Sequence, residues 1–267
     1  MSDIPFHCTS CGNCCQDLRL PVTPAEARTW LERGGRVDIL CEAVPWLAEP
    51  EPDNAFGHYK RGRSFAAASG SLPIRVDVTL AASFTGPCPN LDDAMRCTAY
   101  EIRPMVCRVY PAEMNPFLPL VPANKGCPPE AWESAQPLIA GGVIVDATAR
   151  EAAERSRVEQ ARAAPAKRAI CEALGISQAS VSNEGFLILS PEPAQLLGVL
   201  HALPAELIDT AHDAGDAAAD TPSAADWTLV TNRQQTADAL AQVGASGTLD
   251  RAQPPGAFLY LGMFDAS

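Results

Sequence analysis

Four cysteines fall within eight residues: Cys8, Cys11, Cys14 and Cys15. Cys-x-x-Cys spacing lets one tight turn aim two sulfurs at a single ion, and zinc takes four such ligands tetrahedrally at about 2.3 Å. Cys14 extends the rhythm to three thiols from one loop. Gly12 suits such a knuckle, because it tolerates unusual backbone angles and lets amides approach sulfur closely. Cys15 follows Cys14 directly, and adjacent side chains diverge. The pair therefore predicts two metal sites, or one cluster plus one ion, with Cys14 and Cys15 divided between them.

Four more cysteines, Cys88, Cys97, Cys107 and Cys127, raise the total to eight thiols, enough for two sets of four. Cys88-Pro89 and Cys127-Pro128 are Cys-Pro pairs, in which proline stiffens the chain beside a ligand and removes a competing donor. A bacterial ferredoxin run ends in the same pair, as C-x2-C-x2-C-x3-C-P. Here the first three spacings match and the fourth cysteine is remote, so a [4Fe-4S] cluster is an alternative to zinc or iron ions. Arg103 and Arg108 flank Cys107, where guanidinium groups can offset thiolate charge from just outside the ligands. Tyr100 and Tyr110 read as packing residues with a polar handle. Cys41 and Cys171 stand apart and read as inert buried thiols. No triad, P-loop or dinucleotide fingerprint is present, so no catalytic residue is assigned.

The start of the chain lacks a basic and then apolar leader, and no apolar run is long enough to span a bilayer. The expected compartment is the cytoplasm, whose reducing pools favour metal binding over disulfides for ten cysteines. The net charge of -12 argues against nucleic-acid binding, which needs a basic face to displace counterions. Residues 168–183 offer the one contrary pattern, a helix-turn-helix with Gly175 at the turn and Ser177-Gln178-Ala179 opening a second helix.

Composition changes near residue 130. Residues 1–130 carry 12 Lys/Arg against 15 Asp/Glu, and the remainder 8 against 17. The expected organisation is a cysteine module over 1–130 and an accessory, mainly helical region over 131–267, with an acidic linker near 213–225. In the module, Thr23-Pro24-Ala25-Glu26 predicts a capped helix start. Residues 50–72 read as a long loop. Ile74, Val76, Val78 and Leu80 alternate with Arg75, Asp77 and Thr79, predicting a half-buried strand. Helices are expected over about 99–109, 147–163 and 234–243. The fold class is α+β: an irregular cysteine-rich module with short helices and a small antiparallel sheet, followed by the helical region.

Phe6-x-Cys8-x-x-Cys11-Gly12-x-Cys14-Cys15 is followed by Cys88-Pro89-x-Leu91. Then come Cys97-x-x-Tyr100-x-x-Arg103-Pro104-x-x-Cys107-Arg108-x-Tyr110-Pro111 and Cys127-Pro128. This pattern resembles the CxxCxxCC, or YkgJ-like, family of zinc- or iron-chelating domains over about residues 6–130. Flagellin lysine methylases carry a similar module. The resemblance implies a metal-chelating cysteine cluster and no settled reaction. The function read from the sequence is thus metal binding through Cys8, Cys11, Cys14, Cys15, Cys88, Cys97, Cys107 and Cys127. The alternatives are an iron–sulfur enzyme or electron carrier acting on a protein or peptide partner, and a metal-responsive DNA-binding regulator.

Overall fold

Thr23 starts the first helix as its sequence requires. Its hydroxyl accepts from the Glu26 amide at 3.2 Å, and the Glu26 carboxylate accepts from the Thr23 amide at 2.9 Å. That reciprocal pair satisfies two amides the helix itself cannot. The computed structural model describes residues 3–208, 222–252 and 256–265. Elements up to the cysteine hairpin are β1 (Ile4–Pro5), β2 (Arg19–Val22), α1 (Pro24–Glu32), β3 (Arg36–Pro45), α2 (Ala55–Arg63), β4 (Ser64–Ser69) and β5 (Leu72–Ser83). Then follow α3 (Met105–Val109), β6 (Pro137–Ala140), β7 (Val143–Ile144), α4 (Ala147–Arg162), α5 (Ala164–Leu174), β8 (Gln178–Val181) and β9 (Gly185–Leu189). The last are α6 (Pro193–Ala202), α7 (Ala205–Ile208), β10 (Thr228–Thr231), α8 (Gln234–Gln242), β11 (Gly247–Leu249) and β12 (Leu259–Gly262). Helices and strands are mixed, with one small antiparallel sheet and one larger sheet, as the α+β class requires.

Contacts group the chain into two compact units, each discontinuous in sequence. One joins the described residues up to Val22 with Ala82–Glu159; the other joins Thr23–Ala81 with the described residues from Gln160 onward. All eight clustered cysteines lie in the first unit, and Cys41 and Cys171 lie in the second.

The first unit is built on an antiparallel sheet in the order β1-β6-β7. Val109, Ala112, Leu138, Ile139, Ala149, Ala152 and Ala153 form its core, with Ile4, Phe6, Met114, Leu120 and Ile144 packed around them. Phe6 also stacks at a tilt on Trp132, with centroids 5.2 Å apart. The His7 amide donates to the Ala131 carbonyl at 2.8 Å, which fixes the chain just before Cys8.

The second unit holds a mixed sheet in the order β11-β10-β8-β3-β5. β8, β10 and β11 are parallel neighbours, and β3 is parallel to β8. β4 forms an antiparallel hairpin with β5, while β9 pairs antiparallel with β3 and β12 with β9.

Four local expectations are corrected here. Residues 50–72 are not one loop: Asn54 accepts from the Gly57 amide at 2.8 Å and caps α2, whose last turn carries Lys60, Arg61 and Arg63. Cations there complement the exposed carbonyls of the helix end. The alternation in β5 is real, yet its polar face is buried too, with Arg75 only 3% and Asp77 only 8% exposed. Arg75 donates to Ser64 Oγ and to the Ser64 and Arg61 carbonyls, and Arg63 Nε lies 2.8 Å from Asp77 Oδ2. The segment 99–109 splits into a short 3-10 turn, Tyr100–Ile102, and α3. Pro104 forces Arg103 into extended backbone and so breaks the helix. Finally, residues 178–181 are strand β8, not a recognition helix. Gly175 ends α5 in the left-handed conformation, and the chain enters the sheet directly.

Of the acidic stretch near 213–225, residues 213–221 lie outside the described residues. Beyond them, Ser223 is buried and donates its amide to the Ala66 carbonyl at 2.8 Å. No helix among the described residues is long and apolar enough to cross a membrane.

Candidate metal centre

Three segments of the first unit carry the eight thiols. The loop 8–15 is shaped by left-handed residues, Ser10 at φ 54° and Gly12 at φ 72°. The Ser10 amide donates to Cys8 Sγ at 3.4 Å, and the Cys15 amide donates to the Gly12 carbonyl at 2.9 Å. Gly12 is required by space as well as by φ, since a β-carbon there would stand 2.8 Å from Met95 Cε. Cys8 and Cys11 are exposed; Cys14 and Cys15 are half-buried, with their sulfurs 3.8 Å apart.

The second segment returns alongside the first. The Cys88 amide donates to the Cys15 carbonyl at 2.9 Å, and the Asp17 amide to the Gly86 carbonyl at 2.9 Å. Residues 90–98 then form a tight hairpin in which Leu91 bridges Cys97. Asp92 makes the turn, with Oδ1 accepting from the amides of Ala94 and Arg96. Those amides, Arg96 first, hold the Asp92 carboxyl below the usual range.

The third segment runs from Arg103 to Pro128. α3 places Cys107, while Arg108 donates to the carbonyls of Glu101 and Arg103 at 2.6 and 3.1 Å. Arg108 therefore braces the backbone that carries Arg103. Arg103 stacks on the Tyr100 ring at 3.8 Å and lies within electrostatic reach of Cys15 and Cys107. Its Nε is buried and has no hydrogen-bond acceptor. At the far end, Cys127 Sγ lies 3.7 Å from the Tyr110 hydroxyl. Lys125 sits over the Tyr110 ring at 5.5 Å and is anchored by Glu113 at 2.6 Å.

The thiols interact strongly. A hydrogen bond from Cys14 brings Cys15 down to about 7, aided by Arg103, and the same bond pushes Cys14 far up. The two thiols titrate as a pair, and the bond between them favours loss of one proton over loss of both. Burial pushes Cys107 up to about 12 and raises Cys88 and Cys127, with neighbouring thiolates adding to each. Burial, and then the bond to Cys127, also raises Tyr110.

All eight predicted thiols thus lie in one unit. Among the described residues, no three Cys, His, Asp or Glu side chains converge closely enough to hold a metal ion. The donor chemistry nevertheless fits zinc or iron. Thiolates gathered this densely repel one another, and a cation relieves that repulsion. The buried Arg103 Nε lacks an acceptor, and its guanidinium lies within electrostatic reach of Cys15 and Cys107. The sequence reading missed Lys125 and its anchor Glu113; the position of Lys125 two residues before Cys127 was the available signal. It also gave Tyr110 a packing role only. Cys41 and Cys171 are fully buried in the other unit.

The donor set is rich in thiols. Residues 7–128 match the model of the CxxCxxCC family, whose description is "Putative zinc- or iron-chelating domain". No curated protein and no solved structure matches the chain.

Proposed function

We propose that this protein binds zinc or iron through the thiolates of Cys8, Cys11, Cys14, Cys15, Cys88, Cys97, Cys107 and Cys127, in the reducing cytoplasm. The observation that carries the reading is the gathering of eight thiols from three segments, with Arg103 and Lys125 beside them. Bound metal draws the sulfurs together and displaces their protons, so affinity falls as pH falls. Fully thiolate-coordinated zinc keeps no open position, which makes such a site structural. Each ion then contributes on the order of 10 kcal/mol to ordering a loop-rich unit.

An iron–sulfur cluster is the second reading, and one observation favours it. Cys127 of the Cys127-Pro128 pair lies within electrostatic reach of Cys8 and Cys11, and Cys14 within reach of Cys127. That coupling supports Cys127 as the remote fourth thiol for the Cys8-x2-Cys11-x2-Cys14 run, the ligand pattern of a ferredoxin-type cluster.

Anaerobic purification followed by metal analysis and an absorption spectrum tests both. Zinc in a colourless protein supports the first reading; iron with labile sulfide in a brown protein supports the second. A folded protein that holds neither metal and leaves all eight thiols open to alkylation overturns them.

A further inference from the structure

α4 packs on the core of the first unit through alanines: Ala149, Ala152 and Ala153 are all buried there. Small side chains leave space that leucine would fill, and beside Ala153 that space stays open as a cavity of about 510 Å³. Ile4, Leu120, Ile139 and Ile144 line it together with Ala153, so its floor is the core itself. One wall is the loop from Glu113 to Leu120, and another is the β6–β7 hairpin at Gly142 and Val143.

These walls stand without a ligand. The Leu118 amide donates to the Asn115 carbonyl at 3.1 Å and the Phe117 amide to Asn115 Oδ1 at 3.0 Å, which closes the loop on itself. Pro116 and Pro119 fix φ at two further positions and stiffen it. Arg157 Nε donates to the Met114 carbonyl at 3.5 Å and ties α4 to the start of the same loop. At the mouth, Leu118 on the loop is 56% exposed and Val143 on the hairpin 63%. Apolar side chains held out to water around a concavity of this size are the ordinary make-up of a small-molecule site.

The charged groups set the sign of the ligand. Glu113, Arg150, Glu154 and Arg157 all line the cavity. Glu113 is already neutralised by Lys125 at 2.6 Å. Arg150, Glu154 and Arg157 follow one another at i, i+4 and i+7 along α4 and share one face of it. The Arg155–Glu159 ion pair lies round the helix from them. Two guanidinium groups against one carboxylate leave a positive charge unmatched beside an apolar floor.

We infer that this cavity binds a small carboxylate with an apolar body, of the size of a medium-chain fatty acid. The apolar chain lies on the floor of Ile4, Leu120, Ile139 and Ile144, and the carboxylate meets Arg150 and Arg157, whose planar forks match its two oxygens. No cysteine lines the cavity, so the site does not depend on what the thiols hold.

The test titrates octanoate, and octanol as its uncharged counterpart, into the full chain by isothermal titration calorimetry. Octanoate should bind at a single site with Kd below about 1 mM. Arg150→Gln and Arg157→Gln should each weaken it at least about tenfold and leave octanol within about twofold. Leu118→Ala should weaken both ligands alike, by about threefold. Arg150→Lys keeps the charge and should recover most of the octanoate affinity. Circular dichroism checks the fold of each variant, and Arg150 and Leu118 are exposed positions whose replacement leaves the core intact. Three results overturn the inference: no octanoate binding to the wild type, tighter binding of octylammonium than of octanoate, or unchanged octanoate affinity in the Arg150→Gln/Arg157→Gln double variant. Binding of an apolar peptide with a free carboxyl end, with octanoate silent, would make the cavity a protein-docking surface and overturn it too. Metal content of the same samples should not change, so failure here leaves the metal-binding reading standing.

Discussion

The amide of Cys88 donates to the carbonyl of Cys15 across 2.9 Å, joining residues 73 positions apart in the chain (88 − 15). Asp17 holds the same junction, since its carboxylate accepts the Gly86 amide at 2.7 Å while its own backbone sits at φ 50°. Asp17→Ala removes the hydrogen bond and leaves a β-carbon in a left-handed position without local compensation. The expected loss is about 1–2 kcal/mol in the cysteine-bearing unit, with faster release of any zinc that the thiols hold. Thermal unfolding and release kinetics measure it; an unchanged Tm and release rate would refute the role given to this junction.

Gly12→Ala attacks the knuckle from two directions. Its φ of 72° disfavours any side chain, and the new methyl would meet Met95 Cε at 2.8 Å and the Met95 carbonyl oxygen at 3.2 Å. The methionine side chain can move, but its carbonyl is part of the hairpin that carries Cys97. A cost of about 1–3 kcal/mol is expected, read as weaker cobalt or zinc affinity in a competitive titration.

Thr23→Ala tests the other unit alone. Both bonds of the capping box end at Thr23 or its helix, so the loss should be about 1 kcal/mol. Urea unfolding should show the midpoint shift with no change in metal content.

Lys167 gives a pH signature. It is fully buried, donates to Gln160 Oε1 at 2.9 Å, and is pushed down to about 8 by burial, with Arg63 adding to the effect and Asp77 and Cys171 opposing it. Unfolded lysine titrates near 10.4. Between about pH 8 and 10.4 the unfolded chain therefore binds more protons than the folded one, and stability from this group rises with pH by up to about 1.4 kcal/mol per unit. Lys167→Met should flatten that rise relative to wild type in urea titrations across the window. Equal slopes in the two proteins would show that Lys167 does not carry it.

The grouping of Cys8, Cys11, Cys14 and Cys15 was legible from spacing alone, and the fold puts them in one unit with Cys88, Cys97, Cys107 and Cys127. The capping box of α1 was equally plain, because every partner lies within four residues. β5 was legible as a strand from its period, but period says nothing about what covers the polar face. Arg75 and Asp77 therefore looked solvent-facing until α2 and Ser64 supplied their partners. α2 itself hid in a stretch whose Pro, Gly and charge usually mark turns, because the cap at Asn54 and the basic last turn are weak signals. Strand β8 was masked by the good helix that precedes it. Composition shifts near residue 130, whereas compactness groups residues on both sides of Thr23–Ala81, and a scan along the chain does not register such nesting. The attendance of Lys125 and Tyr110 on Cys127 likewise depends on contacts that only the folded chain makes.

The wide spacing of the thiols also bears on how the protein is made. The Cys8–Cys15 loop emerges from the ribosome 112 residues ahead of Cys127 (127 − 15). At about 5–20 residues per second, that loop waits roughly 5–20 s for its last partner. During that interval the nascent chain presents four thiols without a complete shell, open to whichever soft ion or oxidant arrives first. On the metal-binding reading proposed above, translation order makes metal supply at the ribosome, and not only affinity in the finished protein, a determinant of what the thiols hold.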